Sequence, residues 1–371
     1  MPVRELVSEF VKEAPPYVVG AEEQSKKKPD NVKELIQLAT NENPFGISPK
    51  AVEAMQQQAT ICNRYPDVRA KELRAKLATV CGVSAEQVMV TDGATQGLNF
   101  IGEVFLRPGD EAIVTPPTYP NYYNIIKRMQ AKLVEVPLTV ATLTPDFDKV
   151  MAAVTPKTKL IFLCNPNNPT GTLIPSAELH AFAQALPRHV VLVVDEAYLD
   201  FVEDPSYKNM VDAVSDDTNV IVVRTFSKMY GMAGARIGYL ISNVEIVNYL
   251  QRDATGFCTN RPALYGALAA LDDKEFLDMS VAMTKKSRAF LAAEMHKHGF
   301  TVWESHANFI YFDPLVDVQW FADQMLRFGL IIRGNFPKNR ISVGTLEQDA
   351  IVAHAFDEIC VSDAYKARLK G

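Results

Sequence analysis

The chain has 371 residues, long enough for two domains at roughly 100–200 residues each. Hydrophobic residues make up 48% and charged residues 22%, ordinary globular values. A net charge of −6 gives no electrostatic basis for binding nucleic acid or an anionic membrane.

Glu5, Glu9, Lys12 and Glu13 interrupt the N-terminus, which does not read as a secretory signal. No apolar run reaches the ~18 residues of a membrane-spanning helix. The five cysteines, Cys62, Cys81, Cys164, Cys258 and Cys360, are odd in number, scattered and without a CxxC pair. They predict free thiols in a reducing cytoplasm rather than a disulfide framework or zinc site. The sequence lacks GxGxxG, Walker A and GxSxG patterns, so nicotinamide, P-loop and α/β-hydrolase chemistries lose their usual support.

Residues 1–35 read as an arm, with a short amphipathic helix (Leu6, Val7, Phe10, Val11) ending at Pro15–Pro16. From residue 36 to about 245 strands and helices alternate. Strands are predicted at Val88–Thr91, Glu111–Val114, Leu133–Val136, Lys159–Cys164, His189–Val194 and Asn219–Arg224. Helices are predicted at Thr95–Leu106, Tyr119–Met129 and Ser176–Ala185. Continuous apolar strands between helices imply an α/β domain whose mostly parallel sheet is buried on both faces. From 246 to 371 the pattern becomes a smaller α+β domain. Helices there occupy about 246–256, 263–270 and 274–299, and short strands Thr301–Glu304, Phe309–Phe312, Leu330–Arg333 and Arg340–Val343. A final helix spans roughly 347–360.

Ligands in open α/β sheets sit beyond the carboxyl ends of the strands, so the residues after each strand carry the functional signal. Val88–Thr91 leads into Asp92-Gly93-Ala94-Thr95-Gln96-Gly97, a candidate phosphate cradle of backbone N–H groups at a helix start. Lys159–Cys164 leads into Asn165-Pro166-Asn167-Asn168-Pro169-Thr170-Gly171, a composition that also makes ordinary turns. Val190–Val194 leads into Asp195-Glu196-Ala197-Tyr198, where a buried acid needs a cationic partner to stay ionised. Asn219–Arg224 leads into Thr225-Phe226-Ser227-Lys228, with Gly231, Gly234 and Arg236 following. A lysine at such a strand end is costly unless paired or used covalently.

The ordered set DGATQG, TPPTYPNY, NPNNPTG, VVDEAYLDF, TFSKMYGMAGARIGY and NRISVG resembles the fold-type-I aminotransferases that use pyridoxal 5′-phosphate (PLP). APPY, ATNENPFG, NRYPD and HANFIYF are similar to the histidinol-phosphate aminotransferase branch. The likeness covers nearly the whole chain. It implies an aspartate-aminotransferase-like fold with a seven-stranded, mostly parallel sheet. It also implies that Lys228 binds PLP covalently and shuttles a proton, that Asp195 pairs with the pyridine nitrogen, and that Tyr198 and Asn168 hydrogen-bond the ring hydroxyl. Tyr119 would stack on the ring. Ala94, Thr95, Gln96, Thr225, Ser227 and Arg236 would surround the phosphate, and Tyr65 would reach the phosphate of a second subunit in a homodimer. Arg340 would clamp an α-carboxylate, with Asn43 and Asn308 on the substrate side and Tyr17 and Arg333 near the substrate's side chain. The Asn168–Pro169 bond would be cis.

The chain departs from the family pattern at Gly256-Phe257-Cys258-Thr259-Asn260, which stands where the branch has a Pro–aromatic–Asn motif, and in a short loop between Arg333 and Arg340. The implied reaction moves an amino group from a small-molecule donor to a 2-oxo acid, with histidinol phosphate ranked ahead of aromatic or acidic amino acids. A racemase, decarboxylase or lyase on the same fold is the alternative, and a non-catalytic PLP-binding regulator a remote one.

Overall fold

The computed structural model describes residues 2–7, 9–13, 28–30 and 32–369. A short strand, β1 (Ile36–Gln37), precedes the helices Pro49–Ala59 and Lys71–Cys81. Then come β2 (Val88–Thr91), β3 (Glu111–Val114), β4 (Lys132–Glu135), β5 (Thr158–Cys164), β6 (Val191–Asp195), β7 (Val220–Thr225) and β8 (Gly238–Ile241). The C-terminal part adds β9 (Thr301–Val302), β10 (Phe309–Asp313), β11 (Leu330–Ile331) and β12 (Asn339–Ser342).

Strands β2 to β8 form a seven-stranded sheet in the order β2-β8-β7-β6-β5-β3-β4. All its pairings are parallel except those of β8, which runs antiparallel to both β2 and β7. Side chains alternate between faces along a strand, and here both faces are covered. In β6, Leu192 and Val194 enter one core while Val191 and Val193 enter the other, and β7 divides Val220 and Val222 from Ile221 and Val223 in the same way. That double burial is why these strands read as unbroken apolar runs. The α/β class with a mostly parallel seven-stranded sheet therefore stands.

The structure adds elements that the periodicity did not reveal. The six individually predicted strands are joined by β8, and the helices Pro49–Ala59, Lys71–Cys81 and Val318–Leu326 are new. Helices Val244–Asp253 and Arg261–Ala270 bury Ile246, Val247 and Leu250, and Ala263, Leu264 and Ala267, in the two cores of the large sheet. Both helices, which follow the expected boundary at residue 245, thus pack against the large sheet. In the arm, a 3₁₀ turn at Val3–Leu6 and a helix at Glu9–Glu13 are present. The Pro15–Pro16 stop lies outside the described residues.

A second sheet, β12-β10-β9, is antiparallel. It packs with the helices Lys274–Lys297 and Leu346–Val361 around Phe300, Phe312, Phe321 and Phe356. The segment after the arm stitches into this part. Strand β1 pairs in parallel with β11, Leu38 N–H donates to the Ile331 carbonyl at 2.9 Å, and Ser342 N–H donates to the Leu38 carbonyl at 2.8 Å. Residues 40–43 then run directly to the carboxyl edge of the large sheet.

Gly231 holds that route open. Its φ is +68°, and a β carbon there would collide with the Gly46 carbonyl oxygen. Gly231→Ala is expected to lower unfolding free energy by about 1–3 kcal/mol, measured by urea denaturation. A variant as stable as the wild type would contradict this packing.

Candidate active site

The register of the large sheet aligns the chemistry. Cys164 pairs with Asp195, Asp195 with Val223, and Gly238 lies opposite both Thr91 and Thr225. The residues just beyond these positions line one cavity of about 420 Å³. Ala94, Thr95, Tyr119, Asn168, Asp195 and Tyr198 face it from one set of loops. Thr225, Ser227, Lys228, Arg236, Arg333 and Arg340 complete it.

The Lys228 amine donates to the carbonyl oxygens of Asn41, at 3.0 Å, and Thr40, at 3.2 Å. Burial lowers its pKa from 10.5 to about 8, with the charge of Arg340 acting in the same direction. Asp195 is also buried, which raises its pKa from 3.8 to about 6. The Tyr122 hydroxyl donates to its Oδ2 at 2.9 Å and the Ala197 N–H to its Oδ1 at 3.1 Å, and both bonds oppose that rise. Burial raises the Tyr198 phenol as well. That hydroxyl accepts from the Asn41 amide at 3.0 Å and from the Asn168 amide at 3.4 Å.

Arg340 is buried, its Nη1 donates to Asn168 Oδ1 at 2.6 Å, and Nη2 donates to the Ala39 carbonyl. Its Nε has no partner among the described residues. Arg340 lines the cavity as a buried guanidinium, a group that suits an anionic ligand.

The opposite end is shaped by close backbone approach. Gly93 (φ +77°) has no room for a β carbon beside the Arg236 guanidinium, and one on Gly238 would lie 2.6 Å from the Ala94 nitrogen. The first turn of the helix Gly93–Phe105 carries amides without intrahelical partners. The Thr225 hydroxyl donates to Ser227 Oγ at 2.9 Å, and Arg236 holds its own loop through the Ala233 carbonyl at 2.9 Å. Helix amides, two hydroxyls and a guanidinium make this end fit a phosphate.

Other expected residues stand elsewhere. Gln96, Asn308 and Tyr65 do not line the cavity. Asn43 is a strut, its amide donating to the Met229 carbonyl and Ser280 Oγ, each at 2.8 Å. Asn41, two residues earlier, takes the cavity position expected of Asn43. Asn308 supports it by donating to the Asn41 carbonyl at 3.1 Å. Tyr65 is 79% exposed and packs at a tilt against Phe257 with ring centroids 4.6 Å apart. Tyr17 lies outside the described residues. The Asn168–Pro169 bond is cis, as are Pro116–Pro117 and Asn165–Pro166. The sequence reading missed Thr40, Asn41 and Glu42, which line the cavity, and Tyr122. The ATNENPFG motif flagged the first three only collectively.

The sequence profile of the aminotransferase class I and II family matches residues 33–356. The chain belongs to this family. It is 35% identical to the histidinol-phosphate aminotransferase of Moorella thermoacetica, over 93% of this chain and 90% of that protein. It is 36% identical to the same-named protein of Symbiobacterium thermophilum, over 91% and 94%. A crystal structure of the Sinorhizobium meliloti histidinol-phosphate aminotransferase in complex with pyridoxal-5′-phosphate superposes with a TM-score of 0.88. That pair shares 28% identity over 95% of this chain and 97% of the other. The aspartate aminotransferase of Thermotoga maritima, 24% identical, shares the fold with a TM-score of 0.85 over 96% of this chain and 100% of that one. The expected membership of the fold-type-I aminotransferases is thus shown.

The buried amine gives a pH signature. Between pH 8 and 10.5 the unfolded chain holds a proton on Lys228 that the ligand-free folded chain does not. Stability contributed by this group therefore rises with pH across that window. Ligand-free wild type should gain about 1 kcal/mol per pH unit relative to Lys228→Met there, read from urea unfolding at each pH. A difference that stays flat would mean that the amine is solvated and charged.

Proposed function

We propose that the cavity binds PLP through the residues above and that the enzyme transfers the amino group of histidinol phosphate to a 2-oxo acid. The observation that carries this reading is the convergence, in one cavity, of a buried amine with a lowered pKa, a buried carboxyl and a buried arginine with an unused donor. The substrate assignment rests on the names of the relatives, and the cofactor on the family and on the fit of the site.

Ala94, Thr95, Thr225, Ser227 and Arg236 would hold the phosphate, Asp195 the ring nitrogen, Tyr198 and Asn168 the ring hydroxyl, and Tyr119 the ring face. When bound, PLP supplies an aldehyde that captures amines and a ring that withdraws electrons from the bond being broken. The rest of the work belongs to the chain. Lys228, with a pKa of about 8, holds a proton weakly enough to accept one from the substrate carbon and return it at neutral pH. Asp195 supplies fixed negative charge, kept ionised by Tyr122, Ala197 and the nearby lysine against the pull of burial. Arg340, which lines the cavity, would orient the substrate's anionic group. Arg333, whose Nε donates to the Ala39 carbonyl at 3.1 Å, stands on the same side for the distal end. Histidinol phosphate lacks an α-carboxylate, so its phosphate is the anion these arginines would meet.

A panel of single half-reactions tests the substrate. The visible band of the bound cofactor should decay fastest with histidinol phosphate, and more slowly with phenylalanine, tyrosine, aspartate and glutamate. Faster decay with any of those four would reassign the donor, and no decay with any amine would remove transamination itself.

The same reading makes the enzyme a homodimer in which Tyr65 enters the partner's site. Tyr65 lies outside its own chain's cavity, and the apolar side chains of Ile61, Val68 and Phe257 are exposed at 39%, 54% and 48%. Light scattering should give twice the chain mass, and Tyr65→Ala should weaken cofactor binding while leaving monomer stability within about 0.5 kcal/mol. A monomer, or unchanged cofactor affinity in that variant, would contradict shared sites.

A further inference from the structure

Of the run Asp195-Glu196-Ala197-Tyr198, only Glu196 does not line the cavity at the sheet's carboxyl edge. On the next strand Arg224 is left out in the same way, while Thr225, Ser227 and Lys228 line it. Successive residues of a strand point to opposite faces. Asp195 and Thr225 end β6 and β7 on the cavity face. Glu196 and Arg224 therefore lie on the other face, where Arg224 neighbours Cys81 and Tyr239.

There the two side chains meet. Glu196 Oε2 accepts from Arg224 Nε at 3.0 Å and from Nη2 at 2.8 Å. The other carboxylate oxygen accepts the Met210 N–H at 2.7 Å. The Glu196 side chain is fully buried and that of Arg224 is 13% exposed. Stability does not account for such a pair. Burying two charges is costly, and packed apolar side chains of similar volume are often as stable or more so. What a planar guanidinium with two bonds to a carboxylate supplies is fixed separation and direction.

Its place gives that geometry a use. The register of β6 and β7 ends with Asp195 opposite Val223, and the Glu196 N–H adds one backbone bond to the Val223 carbonyl at 2.8 Å. On the cavity face the Asp195 carboxyl bonds to Tyr122 and the Ala197 N–H, and the Thr225 hydroxyl to Ser227. None of those bonds crosses from one strand end to the other. The ion pair does.

We propose that Glu196 and Arg224 are positioning residues for the reaction. From the far face of the sheet they set the separation between Asp195 and the Thr225–Lys228 turn, and so between the buried carboxyl and the buried amine. The inference rests on the PLP reading of the cavity. A wild type without a visible cofactor band would remove that reading, whereas a normal wild-type band beside unaltered variants would remove only this one.

Two variants test it. Arg224→Lys keeps the charge and loses the fork. Glu196→Leu combined with Arg224→Met removes both charges together. Asp200, which feels the same guanidinium and whose pKa burial raises to about 6, is then held neutral. Each holoenzyme is titrated with pH through its visible band and then mixed with histidinol phosphate in single half-reactions. The band's titration midpoint should move by at least about 0.5 pH unit, because the Asp195 charge acts on it across a distance the pair sets. The maximal rate of conversion should fall at least about tenfold, with half-saturation by histidinol phosphate unchanged within about threefold. A fall in stability or rate with the midpoint unmoved would mark a merely structural contact and overturn the proposal. So would a wild-type midpoint and rate in Arg224→Lys, which decides the matter if the double variant does not fold.

Discussion

A lysine and an aspartate removed from water at neighbouring strand ends are the constraint around which the molecule is built. Burial disfavours the charged form of each, pulling the Lys228 amine down to about 8 and pushing the Asp195 carboxyl up to about 6. The fold answers with fixed dipoles. Backbone carbonyls of Thr40 and Asn41 receive the amine, while a phenol and an amide N–H serve the carboxyl. Neither residue has an independent reason to be there, since apolar side chains would cost less. Both line one cavity.

Asn41 is the joint between that arrangement and the rest of the chain. Its backbone is left-handed, with φ +55°. Its carbonyl takes bonds from Lys228 and Asn308, its amide reaches Tyr198, and its N–H and Oδ1 are both held by Ser342. The strand pairing of β1 with β11 and the bond from Ser342 to Leu38 fix the segment that delivers it. The C-terminal part thus shapes the cavity at the sheet's carboxyl edge twice, once through Arg340 and once through the segment it grips.

The large sheet was legible because its strands are buried on both faces and bounded by polar turns, so that apolar runs such as Leu192–Val194 mark them directly. Strand β8 escaped because its four residues begin at a glycine within the motif that carries Arg236, and its antiparallel direction leaves no trace in composition. Which core receives the helices Val244–Asp253 and Arg261–Ala270 was not legible, because their apolar faces look alike whichever core they join. At the site, strand-end position pointed to Asp195 and Lys228, and both line the cavity. It did not distinguish Asn41 from Asn43, since both sit in one polar turn and only tertiary contacts decide which amide turns inward. Tyr122 was hidden in the helix Asn121–Arg128 beside Tyr123, two phenols whose roles depend on a rotation of 100° per residue.

The proposed chemistry requires Lys228 to be the residue that the cofactor engages. The most direct measurement is borohydride reduction of the holoenzyme followed by proteolysis and mass mapping. A single pyridoxyl adduct is expected on the peptide containing Lys228, absent from Lys228→Ala. An adduct on another lysine, or an unmodified Lys228 in fully loaded protein, would contradict it.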